Sequence, residues 1–151
     1  MHAMEKEVYL TITKDTEVFR ATEIEVLEGV LEDWQHNPVT NYILFDEKRN
    51  DTILGFIIFG RTPMTEFSWD IYWLVVDKSF QRRGVGKILL KRMQVFIAKT
   101  NRTAIVRVET SGRNECKYVR NFYKNAGFTE AARIPDFYSQ RDDLVIFFKK
   151  I

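Results

Sequence analysis

The chain predicts an α/β fold, a mixed central sheet of about seven strands with helices on both faces. Three observations carry this expectation. Apolar residues alternate or run in short stretches at strand period through much of the chain, and they switch to helical period in three segments. The order that results is strand, helix, three strands, helix, strand, helix, two strands. Between the fourth predicted strand and the second predicted helix, Gln81-Arg82-Arg83-Gly84-Val85-Gly86 forms a glycine-spaced loop, the kind that lets a strand feed directly into a helix.

Taken in order, Val8-Tyr9-Leu10-Thr11-Ile12 alternates and predicts a first strand. Thr22-Glu23-Ile24-Glu25 reads as a capping box, with Thr22 toward the N3 N–H and Glu25 reaching back. The helix it opens carries Ile24, Leu27, Leu31 and Trp34 on one face and is closed by Pro38. Tyr42–Phe45 and Thr52–Phe59 predict two strands joined by a polar turn from Asp46 to Asp51, and Gly55 marks a bulge or a close backbone approach. A long strand, Phe67–Val76, precedes the glycine loop. The helix after it keeps Val85, Leu89, Met93 and Phe96 in register. Ala104–Thr110 is a further strand, and Val119, Phe122, Tyr123 and Ala126 stripe a helix that Gly127 ends as a left-handed cap. Thr129–Arg133 and Leu144–Lys149 close the sheet around a loop built on Pro135-Asp136-Phe137-Tyr138.

At 151 residues with 45% apolar content, the chain predicts a single domain over 1–151 with a full hydrophobic core. Residues 1–6 read as a disordered or expression-derived lead-in, with Met4 a candidate natural start. No apolar run approaches the ~20 residues of a membrane span, and no signal peptide is visible. Cys116 is the only cysteine and the two histidines, His2 and His36, are far apart, so neither a disulfide framework nor a metal site is expected. A reducing cytoplasm is the natural setting. A net charge of +2 with dispersed basic residues argues against nucleic-acid binding.

The most informative segment is Tyr72 to Leu90. A glycine-spaced loop at a helix N-terminus gathers free N–H groups and the positive end of the helix dipole, which suits a phosphate or pyrophosphate. A P-loop would need Ser or Thr after Gly86-Lys87, where Ile88 stands. A dinucleotide fingerprint would need a small residue at Leu89.

The pattern Gln81-x-x-Gly84-x-Gly86 after a strand ending Val76-Asp77 resembles the GNAT (GCN5-related) N-acetyltransferases. A second segment, Phe122-Tyr123-Lys124-Asn125-Ala126-Gly127-Phe128, is similar to the Tyr-x-x-x-Gly-Phe stretch that ends the later helix of that family. The resemblance runs from about Tyr42 to Phe148. It implies a GNAT-like fold, acetyl-CoA as cosubstrate and direct acetyl transfer to an amine. It implies that Arg82 to Lys87 hold the pyrophosphate with Gln81 beside them. It places Leu74, Val75 and Val76 on a splayed strand whose N–H groups meet the acetyl and pantetheine amides; Asn114 is a candidate for a further cofactor contact, with an N-cap role for the helix that follows as its alternative.

For chemistry, the resemblance offers Tyr123 as general acid to the leaving thiolate, a role that a phenol can fill in a dry site. Glu109 ends its strand where the ribosomal-protein-type members carry a glutamate that works through water, although its spacing to Tyr123 is about two residues longer, through Ser111-Gly112-Arg113-Asn114, and an ion pair with Arg107 is its structural alternative. Asp70, amid Trp69, Ile71 and Tyr72, competes as base, because an idle carboxylate there would be costly to bury. Water alone is the third option. Trp69, Tyr72 and Tyr138 are candidates for the wall of the acceptor site. The acceptor is an amine on a small molecule or peptide, and dimerisation is left open. The rival reading is a coenzyme A-binding sensor or interaction module without turnover, against which an intact Tyr123 argues.

Overall fold

The computed structural model describes residues 3–151, and the described residues form six strands and four α-helices. The order is α1 (Ala3–Asp15), α2 (Ala21–His36), β1 (Ile43–Arg49), β2 (Thr52–Arg61), β3 (Ser68–Val76), α3 (Val85–Thr100), β4 (Ile105–Ser111), α4 (Lys117–Asn125), β5 (Thr129–Ser139) and β6 (Asp142–Lys150). The sheet runs β1-β2-β3-β4-β6-β5, with β3 and β4 parallel and β1/β2, β4/β6 and β5/β6 antiparallel. By backbone proximity the chain divides into two units, Met1–Gly60 with Trp73–Val95, and Arg61–Tyr72 with Phe96–Ile151.

In the first unit, the expected first strand is a helix. Its alternating apolar residues also fit the 3.6 period: Tyr9, Leu10, Ile12 and Thr13 are buried while Val8 and Thr11 face out. The β-branched residues are poor helix formers, but packing against α2 outweighs that preference. Thr13 returns its hydroxyl proton to the Tyr9 carbonyl at 2.7 Å, and Tyr9 donates to Asp46 Oδ2 at 2.6 Å. Ala3 to Lys6, expected to be unstructured, form the start of α1, where Lys6 pairs with Glu28 and Glu32; Met1 and His2 lie outside the described residues. Helix α2 also begins earlier than expected. Arg20 is the cap, and the carboxylate reaching back to its N–H is Glu23, at 2.7 Å, rather than Glu25. Thr22 is therefore inside the first turn.

β1 and β2 extend through most of the expected polar turn. Only Asn50 and Asp51, both at positive φ (49° and 66°), make the reversal, the geometry of a two-residue hairpin that Asn and Asp tolerate. Glu47 opposes Gly55 and Lys48 opposes Ile53, so Leu54 is the extra residue of a bulge beside the expected glycine. Gly55 is also a close approach. A Cβ there would lie 2.7 Å from the Val75 carbonyl oxygen, 3.1 Å from Val85 Cγ1 and 3.2 Å from Val76 Cα. Leu27, Leu31, Phe56, Ile57, Ile58, Phe59, Leu89 and Met93 build the core around this contact.

The second unit packs α4 on β5 and centres on Ile71, Val106, Val108, Ile97, Phe128, Val145 and Phe147. Gly127 follows α4 at φ 90°, as the left-handed cap expected of it. The closing loop predicted at Pro135–Tyr138 is strand instead, because β5 runs to Ser139 and the chain turns only at Gln140–Arg141. That strand is irregular: its register against β6 shifts between Glu130 and Ala132 and again between Ile134 and Ser139, and Asp136 is at φ 53°.

Candidate active site

Leu74 to Lys87, the residues expected to hold the cosubstrate, lie within the first unit. β3 ends at Val76, and Asp77 starts a short 3-10 turn, Lys78–Phe80, by accepting the Ser79 N–H at 2.8 Å. Arg82 (φ 63°) and Gly84 (φ 84°) both take left-handed backbone, which folds the chain sharply into α3. Ile88 makes the first helical bond, to the Gly84 carbonyl at 3.0 Å, which leaves the N–H groups of Val85, Gly86 and Lys87 without an intrahelical acceptor. Three donors and the helix dipole thus converge beside the exposed Arg82, Arg83 and Lys87. Gln81 is used differently from the expectation. Its amide donates to the Val76 carbonyl at 3.2 Å, so it ties the loop to the end of β3. Arg83 lies over the Phe80 ring at 5.7 Å.

β3 carries the second set of expected contacts, Leu74, Val75 and Val76. Its ladder with β4 pairs Ser68–Ile71 with Ile105–Val108, and Tyr72–Val76 lie beyond it. Leu74 and Val76 are half-buried and Val75 is buried, all within that stretch. Backbone polar groups released from a ladder are what a bound amide can take up.

The remaining candidates belong to the second unit. Tyr123 is buried, edge-on to Phe122 and Phe128 at 5.3 Å and stacked on Phe147 at 6.3 Å. Among the described residues its hydroxyl has no hydrogen-bond partner, yet no buried side-chain polar atom is left unpartnered. The hydroxyl is therefore the part of the residue that keeps some access, while the ring is sealed. Desolvation holds the phenol above the ordinary tyrosine range, so it stays protonated at neutral pH. Tyr9 is raised as well, by burial first and then by its bond to Asp46.

Both phenols prefer the proton in the folded state, so their contribution is complete below the unfolded value near pH ~10. It is lost as pH rises beyond that, at about 1.4 kcal/mol per pH unit for each phenol that only the unfolded chain ionises. Urea midpoints measured between pH 9 and pH 11 are expected to fall steeply, and a flat profile would contradict the burial of these rings.

Asp70, a candidate base, is engaged on both oxygens. Arg107, its cross-strand partner, donates Nε to Oδ1 at 2.7 Å, and Thr62 donates its hydroxyl to Oδ2 at 2.8 Å. The ion pair anticipated between Arg107 and Glu109 is thus made with Asp70. Glu109 is exposed and, among the described residues, its carboxylate makes no hydrogen bond or ion pair. Trp69, expected to wall the acceptor site, is instead a core residue: its indole N–H donates to Asn101 at 3.1 Å, Phe96 meets it edge-on at 6.2 Å, and Arg61 covers it at 5.9 Å. Tyr72 and Tyr138 are half-buried, the latter edge-on to the exposed Phe137 at 5.2 Å.

Asn114 is exposed at the start of a 3-10 turn, Asn114–Cys116, and Cys116 rather than Asn114 caps α4. The asparagine side chain is therefore not spent on capping. Asp142, Ser111, Arg113 and Arg120 form a network that no sequence motif marks, since its members are up to 31 residues apart. Among the described residues no cluster of metal-binding side chains occurs, and no helix is long and apolar enough to cross a membrane.

Residues 40–130 match the acetyltransferase (GNAT) domain, well over half of the chain, and the protein belongs to that family of acyltransferases. Among solved structures it is similar to a protein of the GNAT family from Desulfovibrio desulfuricans, with a TM-score of 0.89 and 26% identity over 98% of this chain and 93% of that one. The ribosomal-protein-S18-alanine N-acetyltransferase of Escherichia coli shares the fold with a TM-score of 0.76 at 19% identity, over 100% and 90% of the two chains. So does an aminoglycoside 6'-N-acetyltransferase complexed with coenzyme A, with a TM-score of 0.70 at 16% identity, over 99% and 92%. No curated protein matches the chain.

Proposed function

We propose that this chain transfers an acetyl group from acetyl-CoA directly to a primary amine, on a small molecule or on a peptide N-terminus or lysine. The reading is carried by the loop geometry: left-handed Arg82 and Gly84 turn the N–H groups of Val85, Gly86 and Lys87 to one point beside three basic side chains. That is a cradle for a pyrophosphate. Acetyl-CoA, when bound, supplies an activated thioester. The backbone of Leu74–Val76, beyond the ladder to β4, would hydrogen-bond its acetyl and pantetheine amides. Asn114, exposed and not used as a cap, would add a further contact.

The amine must lose a proton and the thiolate must gain one. Tyr123 is suited to the second task, with a sealed ring and a hydroxyl that carries its proton at neutral pH and bonds to no described side chain. For the first, Glu109 is favoured over Asp70. An exposed, unpaired carboxylate can take a proton through water, whereas accepting one at Asp70 would break the bond from Arg107. Tyr72 and Tyr138 remain candidates for the acceptor wall. A reducing, cytoplasmic setting fits the buried Cys116, which forms no disulfide.

Calorimetry with acetyl-CoA, ATP and NAD tests the donor, and thiol release across polyamines, amino acids, aminoglycosides and peptides tests the reaction. Micromolar binding of acetyl-CoA alone, with thiol release for one class of amine, is expected. Failure to bind acetyl-CoA would sink the reading, and binding without release to any amine would leave a binding module.

A further inference from the structure

Asp142 is the most deeply buried carboxylate among the described residues, at 2% exposure, and the chemistry above does not use it. It lies at the start of β6, and its partners are Ser111, the last residue of β4, and Arg113, on the segment between β4 and α4. Ser111 donates its hydroxyl to Oδ1, and Arg113 Nε stands 3.5 Å from Oδ2. The same Ser111 oxygen accepts the Arg113 backbone N–H and Nε, each at 3.2 Å. Between them, Gly112 donates its N–H to the Asp143 carbonyl at 2.8 Å, and a Cβ at Gly112 would come within 3.0 Å of Asp143 Cβ. From the other side Arg120, on α4, spans the carbonyls of Ser111 and Arg113 at 2.8 and 2.7 Å.

A buried ion pair of this kind is weak evidence for stability, because apolar side chains of similar volume often do as well. What it does specify is one conformation of a three-residue loop. That loop ends at Asn114 and leads into the helix that carries Tyr123. We propose that Asp142 is a positioning residue for acetyl-CoA: it fixes Ser111 and Arg113 so that Asn114 is presented to the cosubstrate in a single geometry. The inference rests on the acetyl-CoA reading above and goes beyond it by assigning a role to a residue outside every motif.

Calorimetric Kd and steady-state KM for acetyl-CoA are measured for the full chain and for Ser111→Ala, Arg113→Lys and Asp142→Asn, with near-ultraviolet circular dichroism to verify folding. Ser111→Ala and Arg113→Lys are the mild variants and decide the matter if Asp142→Asn fails to fold. Folded variants are expected to raise both Kd and KM for acetyl-CoA about tenfold, with kcat at saturation largely kept. Kd values equal to the unsubstituted chain's would overturn the proposal, even if kcat or thermal stability fell, since that is the signature of a merely structural pair. Absence of acetyl-CoA binding by the unsubstituted chain would instead overturn the functional reading, and this inference with it.

Discussion

Tyr123→Phe is expected to lower kcat at least about tenfold while leaving the affinity for acetyl-CoA and the thermal midpoint unchanged. The ring of Tyr123 fills a site walled by Phe122, Phe128 and Phe147, which phenylalanine would fill equally well. The hydroxyl makes no hydrogen bond to the described residues, so its removal strands no buried partner; had the tyrosine been purely a packing residue, the substitution would be silent in every measurement. A loss confined to kcat therefore separates proton donation from packing. An unchanged rate would remove Tyr123 from the reaction and leave water as the proton source.

The second large effect concerns a residue with no side chain. Gly55→Ala is expected to destabilise the fold by about 1–3 kcal/mol and to weaken acetyl-CoA binding, read as a lower urea midpoint and a raised calorimetric Kd. The new methyl would sit 2.7 Å from the Val75 carbonyl oxygen and 3.2 Å from Val76 Cα, and backbone cannot rotate away as a side chain tip can. Relief requires β2 to move from the end of β3, the stretch that would meet the acetyl group, and from Val85 at the start of the turn that would hold the pyrophosphate. Stability and affinity should thus fall together. Loss of stability with full affinity would show that the strain is absorbed on the β2 side, within the bulge at Leu54.

What could be read from the sequence follows the range of the forces involved. The glycine loop, Gly127 and Gly55 were legible because each answers to local backbone geometry, at positive φ or at a close approach. The first helix was misread because residues 8–12 satisfy two periods at once, and only its packing partner decides between them. Pro135 and Asp136 resembled a loop for sound local reasons, yet β6 holds that segment as strand. In the candidate site, Tyr123 was visible through its motif. The engagement of Asp70 by Arg107 and the burial of Trp69 were not, since cross-strand pairing joins residues 37 apart and the chain carries no local mark of it.

The irregularity of β5 has a consequence for how the molecule behaves at high concentration. This strand is the outermost of its side of the sheet, and every residue in it but Tyr138 is exposed. A straight strand of that length with Ile134 and Phe137 turned outward would invite other copies to add to it, the route to fibrous aggregates. Pro135 has no N–H to offer such a neighbour, Asp136 bends the backbone out of the extended range, and the shift beside Ala131 breaks the spacing of the groups that remain. The features that obscured the strand in the sequence are thus the ones that keep its open edge from recruiting another chain.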